Sequence, residues 1–188
     1  MPDAIAINDT EYKIDPDFRT CLKIILAFED AELTPQEKQV ILLSMLFLDM
    51  PHDANQALEQ AHIFLNGGTV TESDDEPLRL YSFAKDANMI FAAFRQTHGI
   101  DLQKANLHWH EFLALFMDLG SETTFCQLIS LRKKIKTGKA TKEERESARE
   151  IGELFDVPEV DDRSLEEKEM AAEFERKVEE AQRKRNGS

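Results

Sequence analysis

Residues 34–48 read Thr34-Pro35-Gln36-Glu37-Lys38-Gln39-Val40-Ile41-Leu42-Leu43-Ser44-Met45-Leu46-Phe47-Leu48. The first four residues form a capping box. The threonine oxygen accepts from the N–H three residues on, and the glutamate reaches back. Pro35 suits the first turn, where a missing N–H has no intrahelical partner to lose. From Val40 to Leu48 the pattern is apolar nearly all round. Such a helix has little polar face to show water, so it is expected in the centre of the core.

Upstream, Ile5 and Ile7, then Asn8-Asp9-Thr10, then Tyr12 and Ile14 read as two short strands around a turn. Asp15 is the expected N-cap of the next helix, with Pro16 in its first turn and Phe18, Leu22, Ile25 and Phe28 on one face. Downstream, Asp53 caps a helix carrying Ala57, Leu58, Ala61, Phe64 and Leu65, which Gly67-Gly68 stops. Residues 69–79 are polar and acidic and read as an exposed loop. Three more helices follow: Ser82 to His98, Leu107 to Leu119 and Phe125 to Ile135, ended in turn by Gly99, Gly120 and Gly138. Connections this short usually join antiparallel neighbours.

Past Gly138 the composition shifts. Thr141-Lys142-Glu143-Glu144 is another capping box, followed by a thin stripe of Ala148, Ile151, Leu154 and Phe155. Pro158 and the acidic residues 159–162 read as a linker, and Ser164 starts a last, mostly charged helix. Its apolar positions Leu165, Met170, Phe174 and Val178 are the candidate partner-binding residues, on a seam too narrow for a long coiled coil. The fold class is therefore mainly all-α: a compact multi-helix bundle over residues 1–138, with a short β-hairpin over 1–14. A charged helical tail covers 139–188.

A formal net charge of −14 argues against nucleic acid as a partner, because binding phosphate takes a basic face. The local cluster Arg132, Lys133, Lys134 and Lys136 lies toward the end of a helix, where cations compensate the dipole on a solvated face. The first residues are acidic and lack an apolar h-region, so no signal peptide is expected. The apolar run 40–48 is too short to span a bilayer. Cys21 and Cys126 lack a CxxC spacing and read as reduced, buried thiols. These features place the chain in a reducing cytoplasm, soluble and without a membrane partner.

His108-Trp109-His110 invites a metal reading. Histidines at i and i+2 on a helix point ~200° apart, so they cannot chelate one ion. Trp109 is then expected in the core and both histidines toward the polar side. Asp86 and Glu111 sit in otherwise apolar helices and could be buried, with Lys85, Arg95 and Arg132 available as partners. No phosphate-binding loop or nucleophile elbow is present. No catalytic residue, cofactor or metal is expected, and the chain reads as a non-enzymatic protein that binds other proteins.

The stretches Ile14-Asp15-Pro16-Asp17-Phe18-Arg19, Tyr81-Ser82-Phe83-Ala84-Lys85-Asp86-Ala87, Gly99-Ile100-Asp101-Leu102 and His108-Trp109-His110-Glu111-Phe112 occur in one order. Together they resemble a family of small proteins from long-tailed phages and prophages of Gram-positive bacteria, from about Ile14 to Arg132. The resemblance implies a role in tail morphogenesis in the host cytoplasm, as a tail assembly chaperone that coats and solubilises the tape-measure protein. Tape-measure protein or other tail components are the implied partners, with self-association left open. Two other readings remain: a structural tail or head–tail connector component, and a small helical enzyme or regulator with a carboxylate site at Asp86 and Glu111.

Overall fold

Two antiparallel strands open the chain, β1 (Ala4–Ile7) and β2 (Thr10–Lys13), with Ile5 opposite Tyr12 and Ile7 opposite Thr10. Asn8 and Asp9 connect them at φ 46° and 62°, the left-handed backbone that a two-residue hairpin turn requires. Alternation then does its work, burying Ile5 and Ile7 while Ala6 faces out. A computed structural model describes residues 1–69 and 78–157 of the protein. Within them seven helices follow the hairpin: α1 (Phe18–Glu29), α2 (Pro35–Leu46), α3 (Ala54–Leu65), α4 (Ala87–His98), α5 (Trp109–Met117), α6 (Thr124–Lys136) and α7 (Lys142–Ile151). The architecture is mainly α, as the periodicity predicts.

The helices pack in a chain of neighbours. The pairs α1–α2 and α2–α3 form one layer, with β1 against α3. The pairs α4–α5, α4–α6 and α6–α7 form a second, and α1 against α5 joins the two. Aromatic rings fill the junction. Phe112 stacks on Phe18, Phe94 and Trp109 at centroid distances of 5.2, 5.1 and 5.5 Å. Phe116 continues the pile to Phe125 at 5.6 Å. Each fully buried ring contributes about 1.5–3 kcal/mol by leaving water.

Helix starts differ from the sequence expectation where extended pairing competes. The N-cap of α1 is Asp17, which accepts from the Arg19 N–H at 2.8 Å. Asp15 instead accepts from the Asp17 N–H and the Thr20 hydroxyl. The cause is a strap at residues 14–17 that forms isolated bridges, Ile14 with Phe47 and Asp17 with His108. The N–H of Asp15 donates to the Leu46 carbonyl, which holds the strap extended and delays the helix. Similarly, α4 begins at Ala87, because residues 82–86 turn around Asp86, whose N–H donates to the Ser82 carbonyl at 2.9 Å.

The apolar helix at Val40 to Leu48 is not central, and this corrects the expectation. The helix ends at Leu46; it buries Lys38, Leu42, Leu43 and Leu46 but leaves Val40 64% exposed, and Leu48, past its end, is 63% exposed. It packs against α1 and α3 in the outer layer, so one side meets solvent despite its sequence. Its buried lysine is spent internally: Lys38 Nζ donates to the Phe28 carbonyl at 3.0 Å, at the C-terminal end of α1.

Packing continues past Gly138, where the charged tail was expected to begin. Ala140 and Ala148 are buried, α7 lies against α6, and Lys134 pairs with Glu144. Leu165, Met170, Phe174 and Val178 lie outside the described residues. Among those described, no helix is long and apolar enough to cross a membrane.

Candidate functional site

The residues that sequence reading singled out converge on two polar constructions inside the fold. The first centres on Arg132, which the sequence places on a solvated basic face and the structure buries to 1% exposure. Helical phase explains the correction: Phe125, Leu128 and Arg132 share one side of α6, and that side faces inward. Arg132 forms a two-pronged pair with Asp86, Nη1 to Oδ2 at 2.7 Å and Nη2 to Oδ1 at 3.0 Å. Nη1 also donates to the Leu80 carbonyl at 3.0 Å, and Nε donates to the Phe155 carbonyl at 2.8 Å. One planar group thus gathers α6, the segment before α4, the start of α4 and the turn after α7.

Glu29, at the end of α1, extends this network. It accepts from the Ser82 hydroxyl at 2.7 Å and the Phe83 N–H at 3.4 Å, and pairs with Arg79 at 2.9 Å. Asp86 itself also accepts from the Ser82 N–H. Arg132 was among the partners the sequence offers for Asp86, but Glu29 carried no signal, because it sits at a helix end among ordinary charges. Glu111 lies exposed in the first turn of α5, whereas Asp86 is fully enclosed. The two carboxylates therefore do not line one accessible site.

The second construction is His108-Trp109-His110. Trp109 is buried, as expected, and its indole N–H donates to the Leu65 carbonyl at 2.9 Å. Both histidines are half-buried. His108 is the N-cap of α5, so its ring does not follow the helical angle assumed from spacing. Its Nδ1 accepts from the His110 N–H at 3.0 Å and its Nε2 bonds the Pro2 carbonyl at 2.8 Å. His110 Nε2 bonds the Phe64 carbonyl at 2.9 Å, and the Trp109 N–H donates to Pro16 at 2.7 Å. The two imidazoles lie 5.2 Å apart, each held by a backbone carbonyl, Pro2 for His108 and Phe64 for His110. Among the described residues no group of three or more His, Cys, Asp or Glu side chains could hold a metal ion.

Cys21 is buried beneath Asp15 and Asp17, and its thiol is pushed up to about 12, by burial first and by those two carboxylates next. Cys126 is half-buried in the first turn of α6 and, like Cys21, free of any disulfide. On the surface, Val40, Leu48, Met50 and Met117 are each at least 59% exposed.

These features define a helical protein whose buried polar groups hold its own segments together, with apolar side chains left on an acidic exterior. It is a bacteriophage protein: residues 1–157 match the family described as Bacteriophage Gp15 protein, and the chain belongs to that family. No curated protein and no solved structure matches the chain significantly.

Proposed function

We propose that this protein is a non-enzymatic tail assembly chaperone of a long-tailed phage, acting in the cytoplasm of a Gram-positive host. It binds the tape-measure protein and keeps it soluble until the tail tube forms around it. The observation that carries this reading is the surface: large apolar side chains stand exposed, Met117 to 83% and Val40 to 64%, on a chain of net charge −14. Apolar contacts of this kind cover the seams of an aggregation-prone helical partner, and the net charge keeps the resulting complex dispersed. Membership of a phage family supports the setting.

Co-expression tests the reading. Tape-measure protein made with this chain is expected in the soluble fraction and to co-purify with it. Unchanged solubility together with no co-purification would remove the proposal. Mass spectrometry of purified virions separates it from a structural tail or connector role, since a chaperone is absent from finished particles and a structural component is present in stoichiometric amount.

A further inference from the structure

The hairpin presents two edges of different kind. In an antiparallel pair, facing residues alternate between exchanging backbone bonds and turning their backbone groups outward. The Ile14 N–H donates to the Asp3 carbonyl at 3.0 Å, which sets the phase: Ile5 with Tyr12 and Ile7 with Thr10 are the bonded pairs. Ala4 and Ala6 therefore aim their N–H and C=O groups away from β2, along the outer edge of β1. Ala6 is exposed and Ala4 half-buried. Among the described residues no strand lies beside that edge and nothing bonds those backbone groups. The opposite edge is guarded. Glu11 and Lys13 stand exposed on β2, and the Lys13 carbonyl already accepts from the Leu48 N–H at 3.0 Å. Edge strands are ordinarily protected by charge, proline or cover. The run Ala4-Ile5-Ala6-Ile7 carries neither charge nor proline.

We propose that the outer edge of β1 is a self-association surface, where two copies of the chain pair as antiparallel strands into a four-stranded sheet. An added strand must match the outward donors and acceptors and also keep its own inward side chains covered. A second copy meets both conditions. Laid antiparallel about Ile5, it sets Ala4 opposite Ala6 of the second copy, so every outward N–H and C=O of both residues finds a partner. Its Ile5 and Ile7 arrive already buried, beneath a strand packed on its own α3. A lone extended peptide brings no such floor for its inward side chains. On the open face the small side chains of Ala4 and Ala6 meet in the centre, and Glu11 and Lys13 of each copy balance in sign. The edge ends at Pro2, which has no N–H and whose carbonyl bonds His108 at 2.8 Å, and at Asn8, where the chain turns back toward β2. Contact thus spans Asp3 to Ile7. A stable interface takes ~20–30 residues a side, so this short edge gives a weak pair that forms where copies are crowded together.

Sedimentation and amide hydrogen exchange of the full chain over a concentration series test the pairing. The mass is expected to climb from one copy toward two between the micromolar and millimolar ranges. The Ala4 and Ala6 amides should slow in step, while those of Ile5 and Ile7, bonded within the hairpin, stay unchanged. Ala6→Pro removes an outward donor without costing the fold a bond, because proline suits an edge strand whose N–H meets solvent. It is expected to weaken the pair by about ten-fold or more. Ala6→Lys leaves the backbone whole, sets a charge on each edge and should act in the same direction. The series on the unaltered chain decides the matter even where a variant unfolds: a mass fixed at one copy, or Ala4 and Ala6 amides that ignore concentration, overturns the proposal. A dimer that both variants leave intact forms elsewhere and overturns it too. Protection of Ala4 and Ala6 that arises only when another protein is added, with this chain monomeric, also overturns the pairing and gives the edge to that partner's strand.

Discussion

Phe112 and Arg132 are equally deep, at 0% and 1% exposure, yet they hold the molecule in different ways. Phe112 touches rings from α1, α4 and its own helix, and each contact is non-directional. Arg132 makes directional bonds to Leu80, Asp86 and Phe155, and the charge it carries is tolerated there because Asp86 lies opposite. A ring pile degrades gradually as atoms are removed. A buried ion pair fails abruptly when one member goes, because the survivor becomes an unpaired charge in a low dielectric.

Arg132→Met should show the largest effect, a loss of about 3–5 kcal/mol in urea denaturation, because the enclosed Asp86 loses its charge partner. Adding Asp86→Leu should return a good part of that loss. If the double variant is as unstable as the two single losses added together, the contrast with the aromatic pile disappears. Next comes Phe112→Leu, expected to cost about 1–2 kcal/mol as neighbouring rings settle into the space. A cost above that of Arg132→Met would reverse the ranking of the two regions.

Smaller effects separate the body of the fold from its C-terminal part. Thr34 caps α2 through the Glu37 N–H, and Thr141 caps α7 through the Glu144 N–H. Thr34→Ala should lower global stability by about 1 kcal/mol. Thr141→Ala should leave the denaturation midpoint almost unmoved, because α7 packs at the edge of the fold against α6. Equal shifts in midpoint from both substitutions would show a single cooperative unit. The smallest effect belongs to His62, whose ring meets Phe28 edge-on at 5.6 Å. Burial holds its pKa below the usual histidine value. The unfolded chain then takes up the proton more readily, so stability falls as pH drops through about 6.5. His62→Gln should flatten that part of the stability–pH curve, and an unchanged slope would assign it elsewhere.

Much of the helical frame was legible, because its punctuation is local. The boxes at Thr34 and Thr141, the cap at Asp53 and the stop at Gly99 each act through a hydrogen bond or backbone angle within a few residues. What failed depended on neighbours distant in sequence. Asp15 looked like a cap until the Leu46 carbonyl claimed its N–H. Val40 looked central because hydrophobicity alone does not say how many layers will cover a helix. The charge of Arg132 pointed outward to water, and only the helical phase set by Phe125 and Leu128 turned it inward. At the two polar constructions the sequence named Asp86, Arg132, His108, Trp109 and His110, but not the backbone carbonyls that give them their roles.

Those carbonyls set a schedule for synthesis. The carbonyl of Pro2 is secured by His108, 106 residues later, and Pro16, Phe64 and Leu65 wait for the same three side-by-side residues. A ribosome releases the N-terminal hairpin and the first three helices well before their fastener exists. The earliest residues made are thus among the last to be fixed, and the long wait for distant contacts slows their final settling. During that interval Phe18 and Phe64, which lie against Phe112 and His110 in the finished fold, are open to other nascent chains, so a protein expected to keep a partner from aggregating has its own vulnerable period first.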